Sequence, residues 1–410
     1  MTNTTSQNRL VFLDNLRYFI VLLVVILHVS ISYANVGAPW WYVVDANKHA
    51  FFDILIIVLD SFIMPVLFFI AGYFALNSIR QKTLDAFIVS KLKRLGIPWL
   101  FVVFFLVPVM PYLYHYTRAA APLSFWIFWK GFVESVGDFN LIVVDPNQFA
   151  NDMNLMNGFS HHHLWFISLL LFFFIGFALL YQVKSKFFES RKQSDGTSTQ
   201  SMWIALFTTG IIISLSVTFV NYFISELAWA NIYNVLIFQP TRFPLYLGLF
   251  VLGIYAFSKN WFTQYQLPGS SLAWFIACFI LLIILLSLIF KLFEISHNMT
   301  ERNLIPFWLI VTHGFVRTFL VLAFLVFLIS FTHRYWNRPA KINQNLAASS
   351  YHIYLIHLPI VVIFQFLFLT ISISIFLKFA IIVLLSTLLS YGISHYLICG
   401  FHKTEKCLGK

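Results

Sequence analysis

Residues 10–34 read LVFLDNLRYFIVLLVVILHVSISYA, an apolar stretch long enough to cross a bilayer that is interrupted by Asp14, Arg17 and His28. In an α-helix, Arg17 and His28 lie within about 20° of one face and about 16 Å apart along the axis, and Asp14 lies within about 60° of both. An ionisable group in hydrocarbon costs roughly 3 kcal/mol on insertion scales. Such a stripe predicts a partner, a water-filled cavity or a substrate path inside the membrane.

The composition of the whole chain is that of an integral membrane protein. Of its 410 residues, 60% are hydrophobic and only 10% are charged, which is too little polar surface for a soluble protein of this length. The predicted fold is all-α and polytopic, with about ten transmembrane helices. The predicted spans lie near residues 10–34, 52–77, 95–114, 164–182, 202–224, 242–257, 272–293, 305–330, 346–369 and 371–396. The span 242–257 is the weakest, because it is short and begins with Arg242.

The distribution of basic residues predicts the topology. If the N-terminus is cytoplasmic, most Lys and Arg residues fall in cytoplasmic segments, which is the positive-inside pattern and places both termini inside. The net charge of +11 therefore indicates orientation in a lipid bilayer, and we expect no nucleic-acid partner. A competing interpretation makes the first span a signal peptide cleaved after Ser32-Tyr33-Ala34, but Asp14 and His28 interrupt its apolar core.

Only two connections between the predicted spans are long. The outer segment 115–163 could form a lid or a substrate-binding surface, whereas the inner segment 183–201 has the composition of a flexible linker. We expect one membrane domain over residues 1–396 and a cytoplasmic tail over 397–410. The cysteine and histidine spacings predict no metal site, and no permanently bound cofactor is expected.

Helical rise places several polar residues at similar depths in the membrane. Counted from the outer ends of the spans at 1.5 Å per residue, the depths are about 9 Å for His28, about 12 Å for Asp60 and His313, and about 18 Å for Arg317 and His357. This arrangement predicts that Asp60 accepts the second ring hydrogen of His28 and raises its basicity. Two alternatives remain open, in which Asp60 caps a helix break before Pro65 or pairs with Arg317.

Five segments together are similar to signatures of one known family. These are Arg17 with His28 ten residues beyond it, 64–73 (MPVLFFIAGY), 91–98 (KLKRLGIP), 163–166 (HLWF) and 350–359 (SYHIYLIHLP). In this order the chain resembles the membrane acyltransferase 3 family, most closely the branch that includes succinyltransferases of osmoregulated periplasmic glucans. Two positions depart from the pattern, since Ala71 stands where Ser is common and Lys91 where Arg is frequent.

The resemblance implies transfer of an acyl group, acetyl or succinyl, from cytoplasmic acyl-CoA as co-substrate to a hydroxyl of an extracytoplasmic glycan, across the cytoplasmic membrane of a bacterium. His28 would be the general base, although an acyl-histidine intermediate stays open. The catalytic set is completed by Asp14, Arg17 and Asp60. The acyl-CoA phosphates would be held by the inner basic residues Arg17, Lys91, Lys93 and Arg94.

Six further polar or aromatic residues are predicted to bind substrate, namely His163, Trp165, His313, Arg317, Tyr354 and His357. Each has a structural alternative, because Trp165 could belong to an interfacial aromatic belt, Tyr354 could bond between helices, and Arg317 could form a buried ion pair. The main rival function is a multi-pass transporter or flippase of a polar envelope precursor.

Overall fold

The computed structural model describes residues 10–36, 40–137, 141–144, 158–184, 198–262, 267–298 and 305–398. Within these residues, nine helical segments are long and apolar enough to cross a membrane, and a shorter apolar helix, Phe243–Ser258, is the tenth. Each of the ten predicted spans coincides with one of them, which confirms the all-α polytopic fold. The placement of both termini in the cytoplasm stays a prediction, as does the division into a membrane domain and a tail, and residues 399–410 lie outside the described part.

The helices are α1 Val11–Ile31, α2 Ala50–Arg80, α3 Leu84–Lys91, α4 Ile97–Phe105, α5 Val109–Arg118, α6 Phe125–Glu134, α7 Trp165–Val183, α8 Thr199–Phe223, α9 Phe243–Ser258, α10 Ser271–Asn298, α11 Phe307–Tyr335, α12 Lys341–Leu367 and α13 Ile375–Gly392. Five-residue and six-residue π-helical segments, Leu92–Gly96 and Ile393–Ile398, follow α3 and α13. Short 3-10 turns occupy Ser135–Gly137 and His162–Leu164. We call the end where α1 begins the inner end and the opposite end the outer end, following the predicted topology.

The third span is built from three helices rather than one. It runs over Leu84–Arg118, with the π-helical segment between α3 and α4 and a turn before α5. Pro98 stands in the first turn of α4 and Pro108 precedes α5, so neither proline interrupts a hydrogen-bonded helix interior. The break places the basic residues Lys93 and Arg94 on a π-helical turn at the inner end.

The core of the bundle is formed where α1 packs against α2, α11 and α12, and where α2 packs along the short helix α9. The α2–α9 contact brings backbone against backbone. A Cβ atom added at Gly72 would collide with the carbonyl oxygen of Phe250, and one added at Gly253 would collide with that of Phe69. Small residues permit this approach, which allows a sixteen-residue helix to be held at the centre of the bundle.

The helices α10 and α13 lie at the periphery. They expose large apolar side chains, including Phe275 and Phe279 on α10 and Leu384 and Leu388 on α13. In a bilayer these surfaces face lipid, where exposed hydrocarbon carries no penalty.

A small antiparallel sheet, which the sequence did not predict, joins two outer connections. Its strands are β1 Leu141–Val144, β2 Trp229–Ile232 and β3 Leu236–Phe238, in the order β1-β2-β3. Leu141 pairs with Ile232, and Ala230 pairs with Phe238. The sheet ties the long outer segment to the loop between α8 and α9, which carries Glu226.

Candidate active site

Three histidine rings from three separate segments meet inside the bundle. His28 lies in the last turns of α1, His357 in the middle of α12, and His163 in the turn before α7. The ring centroids are 5.0 Å apart for His28 and His357, 5.2 Å for His163 and His357, and 6.4 Å for His28 and His163. His357 is completely buried and His163 nearly so, whereas His28 keeps part of its surface exposed. We call these three residues the histidine centre.

The hydrogen bonds of the histidine centre fix the tautomer of His28. Nδ1 of His357 faces the carbonyl oxygens of Tyr354 at 2.7 Å and Ile353 at 3.2 Å, so it carries the hydrogen and leaves Nε2 as an acceptor. Nδ1 of His28 lies 2.9 Å from the Val24 carbonyl and 3.1 Å from this Nε2, so it must donate. The ring nitrogen Nε2 of His28 is then an unprotonated base that no described residue engages.

Proline at position 359 explains how His163 is held against α12. Pro359 has no N–H, so it cannot donate to the carbonyl of Leu355 four residues earlier. Nε2 of His163 lies 3.2 Å from that carbonyl oxygen and donates to it instead. The hydroxyl of Tyr354 donates to the backbone carbonyl of His163 over 2.6 Å, so the turn is fastened to α12 twice.

The loop between α1 and α2 folds over the histidine centre on its outer side. The Trp41 ring stacks on His28 with centroids 5.9 Å apart and planes 15° apart. Its indole N–H donates to Gln365 over 2.9 Å, and the Gln365 amide donates to the carbonyls of His28 and Val29. Gln365 therefore caps carbonyl groups at the end of α1, where a helix leaves them unpaired.

Two contacts hold this loop in place. Arg118 donates to the carbonyls of Trp41 and Tyr42 over 2.9 and 3.0 Å. The Tyr42 hydroxyl lies 2.7 Å from Nδ1 of His162. Burial raises the pKa of Tyr42, so its phenol stays protonated at neutral pH and can donate to that nitrogen. Trp41 and Tyr42 are therefore held against the outer side of the histidine centre.

The three imidazoles do not form a metal site. No group of three or more His, Cys, Asp or Glu side chains arranged to hold a metal ion lies in the part of the chain that the structure describes. Nδ1 of His357 and Nε2 of His163 are turned toward backbone carbonyls, which leaves no convergent set of nitrogen ligands.

At the inner end, Arg17 joins α1 to α12. Its guanidinium lies 3.2 Å from the Asp14 carboxylate and donates to the carbonyl of Ala347 over 3.0 Å. Asp14 and Arg17 are three residues apart on α1, so they lie next to each other on the surface of one helix. A small cleft beside these residues opens between α1 and the first turns of α12.

The basic turn before α4 contacts the same part of α12. The Tyr351 hydroxyl donates to the carbonyl of Leu95 over 3.0 Å, one helical turn beyond Ala347. Lys93 and Arg94 are exposed beside this contact. The ammonium group of Lys91 instead lies 4.2 Å from the ring centroid of Phe174. The structure thus brings Arg17 and the turn that carries Lys93 and Arg94 to α12, whereas Lys91 faces α7.

A second polar group, which we call the charge cluster, comprises Asp60, Glu226, Arg242, His313 and Arg317. Its arginine and histidine side chains are largely buried, whereas the side chains of Asp60 and Glu226 are 36% and 22% exposed. Nη1 of Arg242 lies 2.6 Å from Oδ2 of Asp60, and Nη2 of Arg317 lies 4.0 Å from the same oxygen. Arg317 also forms an ion pair with Glu226, whose other oxygen lies 3.1 Å from Nδ1 of His313. Arg242 hydrogen bonds to Tyr246, whose ring packs on Trp165 with centroids 5.3 Å apart.

The predicted hydrogen bond between Asp60 and His28 is wrong. Asp60 pairs with Arg242 at 2.6 Å, a partner that the sequence did not predict, and the open alternative of an Asp60–Arg317 pair is found as a longer contact of 4.0 Å. Depth along a helix does not determine which neighbour a side chain faces. The depth estimates also placed His28 and His357 at different levels, although their rings are in contact, because helix ends do not share one level and helices tilt.

Several residues of these sites carried no usable signal in the sequence. Glu226 lies in a loop, and its partners are far along the chain. Trp41 and Gln365 lie outside the quoted motifs, yet they stack on His28 or bond to its backbone. In the sequence, Arg242 is marked only by its position at the start of the short span 242–257. For Arg242 and Gln365, the only sign of a structural or functional role in the sequence was a polar residue next to an apolar stretch.

Comparison with known proteins gives one match. A family model described as an acyltransferase domain matches residues 10–395, which includes the histidine centre, the inner basic residues and the charge cluster. Searches of curated proteins and of solved structures returned no match.

Proposed function

Because the chain belongs to the acyltransferase 3 family, we propose that it is an acyl-CoA-dependent O-acyltransferase that modifies a hydroxyl of an extracytoplasmic glycan. The acyl group would come from cytoplasmic acetyl-CoA or succinyl-CoA, and the protein would act in the cytoplasmic membrane of a bacterium. The family and the multi-pass architecture support the transferase and its membrane setting. The glucan succinyltransferase branch stays a prediction.

The observation that carries the proposal is the free Nε2 of His28. A carbonyl and an imidazole nitrogen hold the hydrogen on Nδ1, so the lone pair on Nε2 is oriented and available. In the proposed step, this nitrogen accepts the proton of the acceptor hydroxyl while the oxygen attacks the thioester carbonyl. The C–S bond then breaks, and the thiolate of coenzyme A takes the proton from His28.

His357 has the role of the third group in other nucleophile-activating sites, which is often a carboxylate: it accepts a hydrogen bond from the base and orients it. Its Nε2 accepts from Nδ1 of His28, and its own Nδ1 is fixed on backbone carbonyls of α12. When His28 becomes an imidazolium, its Nδ1–H bond to His357 strengthens, because charge-assisted hydrogen bonds are stronger than neutral ones. This assigns His357 a positioning role and leaves substrate contact to His28.

The inner basic residues supply an entry for the donor. Exposed Lys93 and Arg94 and the half-buried Arg17 gather near the inner part of α12, where phosphate groups would meet positive charge. The distance from Arg17 to His28 is about 16 Å along α1, comparable to an extended pantetheine arm. The carbon carrying the acyl group would then reach the histidine centre from the inner side.

The experiment measures release of free thiol from acetyl-CoA or succinyl-CoA by purified protein, with and without a glycan acceptor. We expect release only when both substrates are present, and His28→Ala should lower the rate by at least about 10³-fold. His49→Asn is the matched control, since it removes an exposed imidazole and keeps an N-cap for α2. Turnover retained in His28→Ala would reject the assignment.

Two other outcomes separate the alternatives. A labelled acyl group on His28 after quenching without acceptor would indicate the acyl-histidine route. Failure of wild-type protein to release thiol under any condition would favour a transporter or flippase, which does not consume acyl-CoA.

A further inference from the structure

A general base that can take a proton from an alcohol can also take one from water. In the proposed function that base is Nε2 of His28. If water replaced the acceptor, its oxygen would attack the thioester carbonyl, the C–S bond would break, and the proton would pass through His28 to the thiolate. The products would be a free carboxylic acid and the thiol, and the acceptor would stay unmodified. A transferase that uses this base therefore needs water to be kept from it.

The outer side of His28 is covered by residues 40–49, which we call the covering loop. The Trp41 ring stacks on the His28 imidazole with centroids 5.9 Å apart. Trp41 is 3% exposed, and Tyr42 and Val43 after it are 7% and 1% exposed. Side chains buried to this degree are packed at the density of a protein interior, which leaves little room for water between them. The covering loop thus lies between His28 and the water at the outer end.

A buried ion pair holds the covering loop to α13. Nζ of Lys378, in the first turn of α13, lies 2.6 Å from Oδ2 of Asp45. The two residues are only 3% and 4% exposed, so water and salt screen their attraction weakly. The other carboxylate oxygen of Asp45 accepts the backbone N–H of Asn47 over 2.9 Å, which fixes the orientation of the carboxylate.

The ion pair is connected to Trp41 through the end of α1. The backbone N–H of Asp45 donates to the carbonyl of Ser32 over 3.1 Å, and the Ser32 hydroxyl donates to the carbonyl of Val43 over 2.8 Å. Ser32 lies directly after α1, four residues beyond His28. Because Val43 stands midway between Trp41 and Asp45 in the chain, these bonds hold the loop at both sides of that residue. A displacement of Asp45 should therefore reach the ring that covers His28.

We propose that the ion pair between Lys378 and Asp45 keeps the covering loop closed over His28, so that the protein transfers the acyl group to its acceptor instead of hydrolysing acyl-CoA. This inference rests on the proposed function and adds a control of specificity to the same site. Lys378 and Asp45 are positioning residues, since they act through the covering loop and the proton transfer stays at His28.

Two variants remove the ion pair in different ways. Lys378→Met leaves the Asp45 carboxylate buried without its cation, so the carboxylate gains by moving toward water and the covering loop should open. Lys378→Met combined with Asp45→Asn replaces the pair by neutral side chains of similar size and leaves no lone charge. This double variant should fold more readily and loosen the loop less. Lys130→Met is the matched control, because it removes the same charge from an exposed pair with Glu134.

The test measures thiol release from acetyl-CoA or succinyl-CoA by the purified full-length protein, without and with a glycan acceptor. The ratio of the two rates compares hydrolysis with transfer. We expect Lys378→Met to raise this ratio at least about tenfold, the double variant at least about threefold, and Lys130→Met not at all, since an exposed pair contributes far less than a buried one. A role in stability alone would lower both rates together and leave the ratio at the wild-type value.

Hydrogen exchange of the covering loop supplies a second measurement on the same proteins. We expect residues 40–49 to exchange faster in Lys378→Met than in the wild type, with exchange of α12 unchanged.

The outcomes separate the inference from the proposed function. A folded variant whose ratio stays at the wild-type value, or an equal rise in Lys130→Met, would overturn the inference, as would a raised ratio without faster exchange of the covering loop. A wild-type protein that releases thiol equally fast without acceptor would show that the loop does not exclude water. If the wild type releases no thiol under any condition, the proposed function itself fails. Should Lys378→Met not fold, the double variant decides.

Discussion

The histidine centre and the charge cluster are both buried polar groups in one membrane domain, but they are satisfied to different degrees. In the charge cluster every guanidinium has a carboxylate, although Nε of Arg242 and Nε of Arg317 have no hydrogen-bond partner among the described residues, so the charges are balanced while two donors stay unpaired. In the histidine centre the N–H groups are paired, while one nitrogen of the partly exposed His28 keeps a free lone pair. Burial of polar groups is therefore not by itself evidence of a catalytic site. A reactive site needs one group that the fold has oriented and left unpaired.

The largest effect, on the free energy of unfolding, is expected from a substitution that breaks the charge cluster. Glu226→Ala leaves Arg317 with Asp60 as its remaining partner at 4.0 Å. Because Arg317 is 8% and Glu226 22% exposed, we expect a cost at the lower end of that for a buried pair, about 3 kcal/mol of unfolding free energy. Denaturation of the purified protein in detergent would measure this. Glu134→Ala on the exposed Lys130–Glu134 pair should cost at most about 1 kcal/mol. Equal losses in the two variants would show that the cluster does not stabilise the fold.

A smaller effect, on activity rather than stability, should follow from changing His357. His357→Leu removes the acceptor for Nδ1 of His28, and we expect kcat to fall about 10²-fold, or about 2.7 kcal/mol. His357→Gln supplies an amide oxygen as acceptor and should recover part of the rate. KM for acyl-CoA should change less than twofold in both variants. If the Leu and Gln variants are equally slow, the hydrogen bond to His28 is not what His357 contributes.

A substitution of Pro359 should weaken the hydrogen bond that holds His163 in the histidine centre, with a smaller effect on activity. In Pro359→Ala the new N–H can bond to the Leu355 carbonyl within α12 and compete with His163 for it. The loss of one such bond corresponds to about 1 kcal/mol, so kcat should fall roughly fivefold. Thermal unfolding measured in parallel should show unchanged or higher stability. A variant with lower stability and full activity would contradict this account.

The smallest effect concerns the cover over His28. Trp41→Phe keeps an aromatic ring to stack on the imidazole but removes the indole N–H that donates to Gln365. We expect a two- to threefold loss of kcat, since a single neutral hydrogen bond contributes about 0.5–1.5 kcal/mol. Steady-state kinetics would measure it, with Trp40→Phe as the control on the adjacent residue. An equal loss in both variants would indicate a general disturbance of the loop.

The sequence predicted those parts of the molecule that depend on periodicity along one helix. Hydropathy located the ten spans, and helical spacing placed Arg17 and His28 on one α1 helix that packs along α12. The common face of Tyr354 and His357 on α12 also follows from spacing alone, because residues three apart are neighbours on a helix surface. These inferences need only the geometry of a single segment.

The contacts between segments could not be predicted in the same way. Asp60 and His28 have similar depths, yet the rotation of α2 turns the carboxylate toward Arg242. The meeting of His28 with His357 depends on how α1 and α12 pack, and the sheet depends on strands of three or four residues in outer connections. Rotation, tilt and non-local pairing are set by packing partners, which one sequence without relatives does not reveal.

The 329 residues that separate His28 from His357 have a consequence for biosynthesis. If the spans enter the membrane in order of synthesis, His28 on the first span has no His357 beside it until the ninth span, which contains α12, is inserted. A nascent chain that stalls earlier would hold His28 without its orienting partner His357. Chemical competence in this molecule is thus conferred late, by one of the last segments to be inserted.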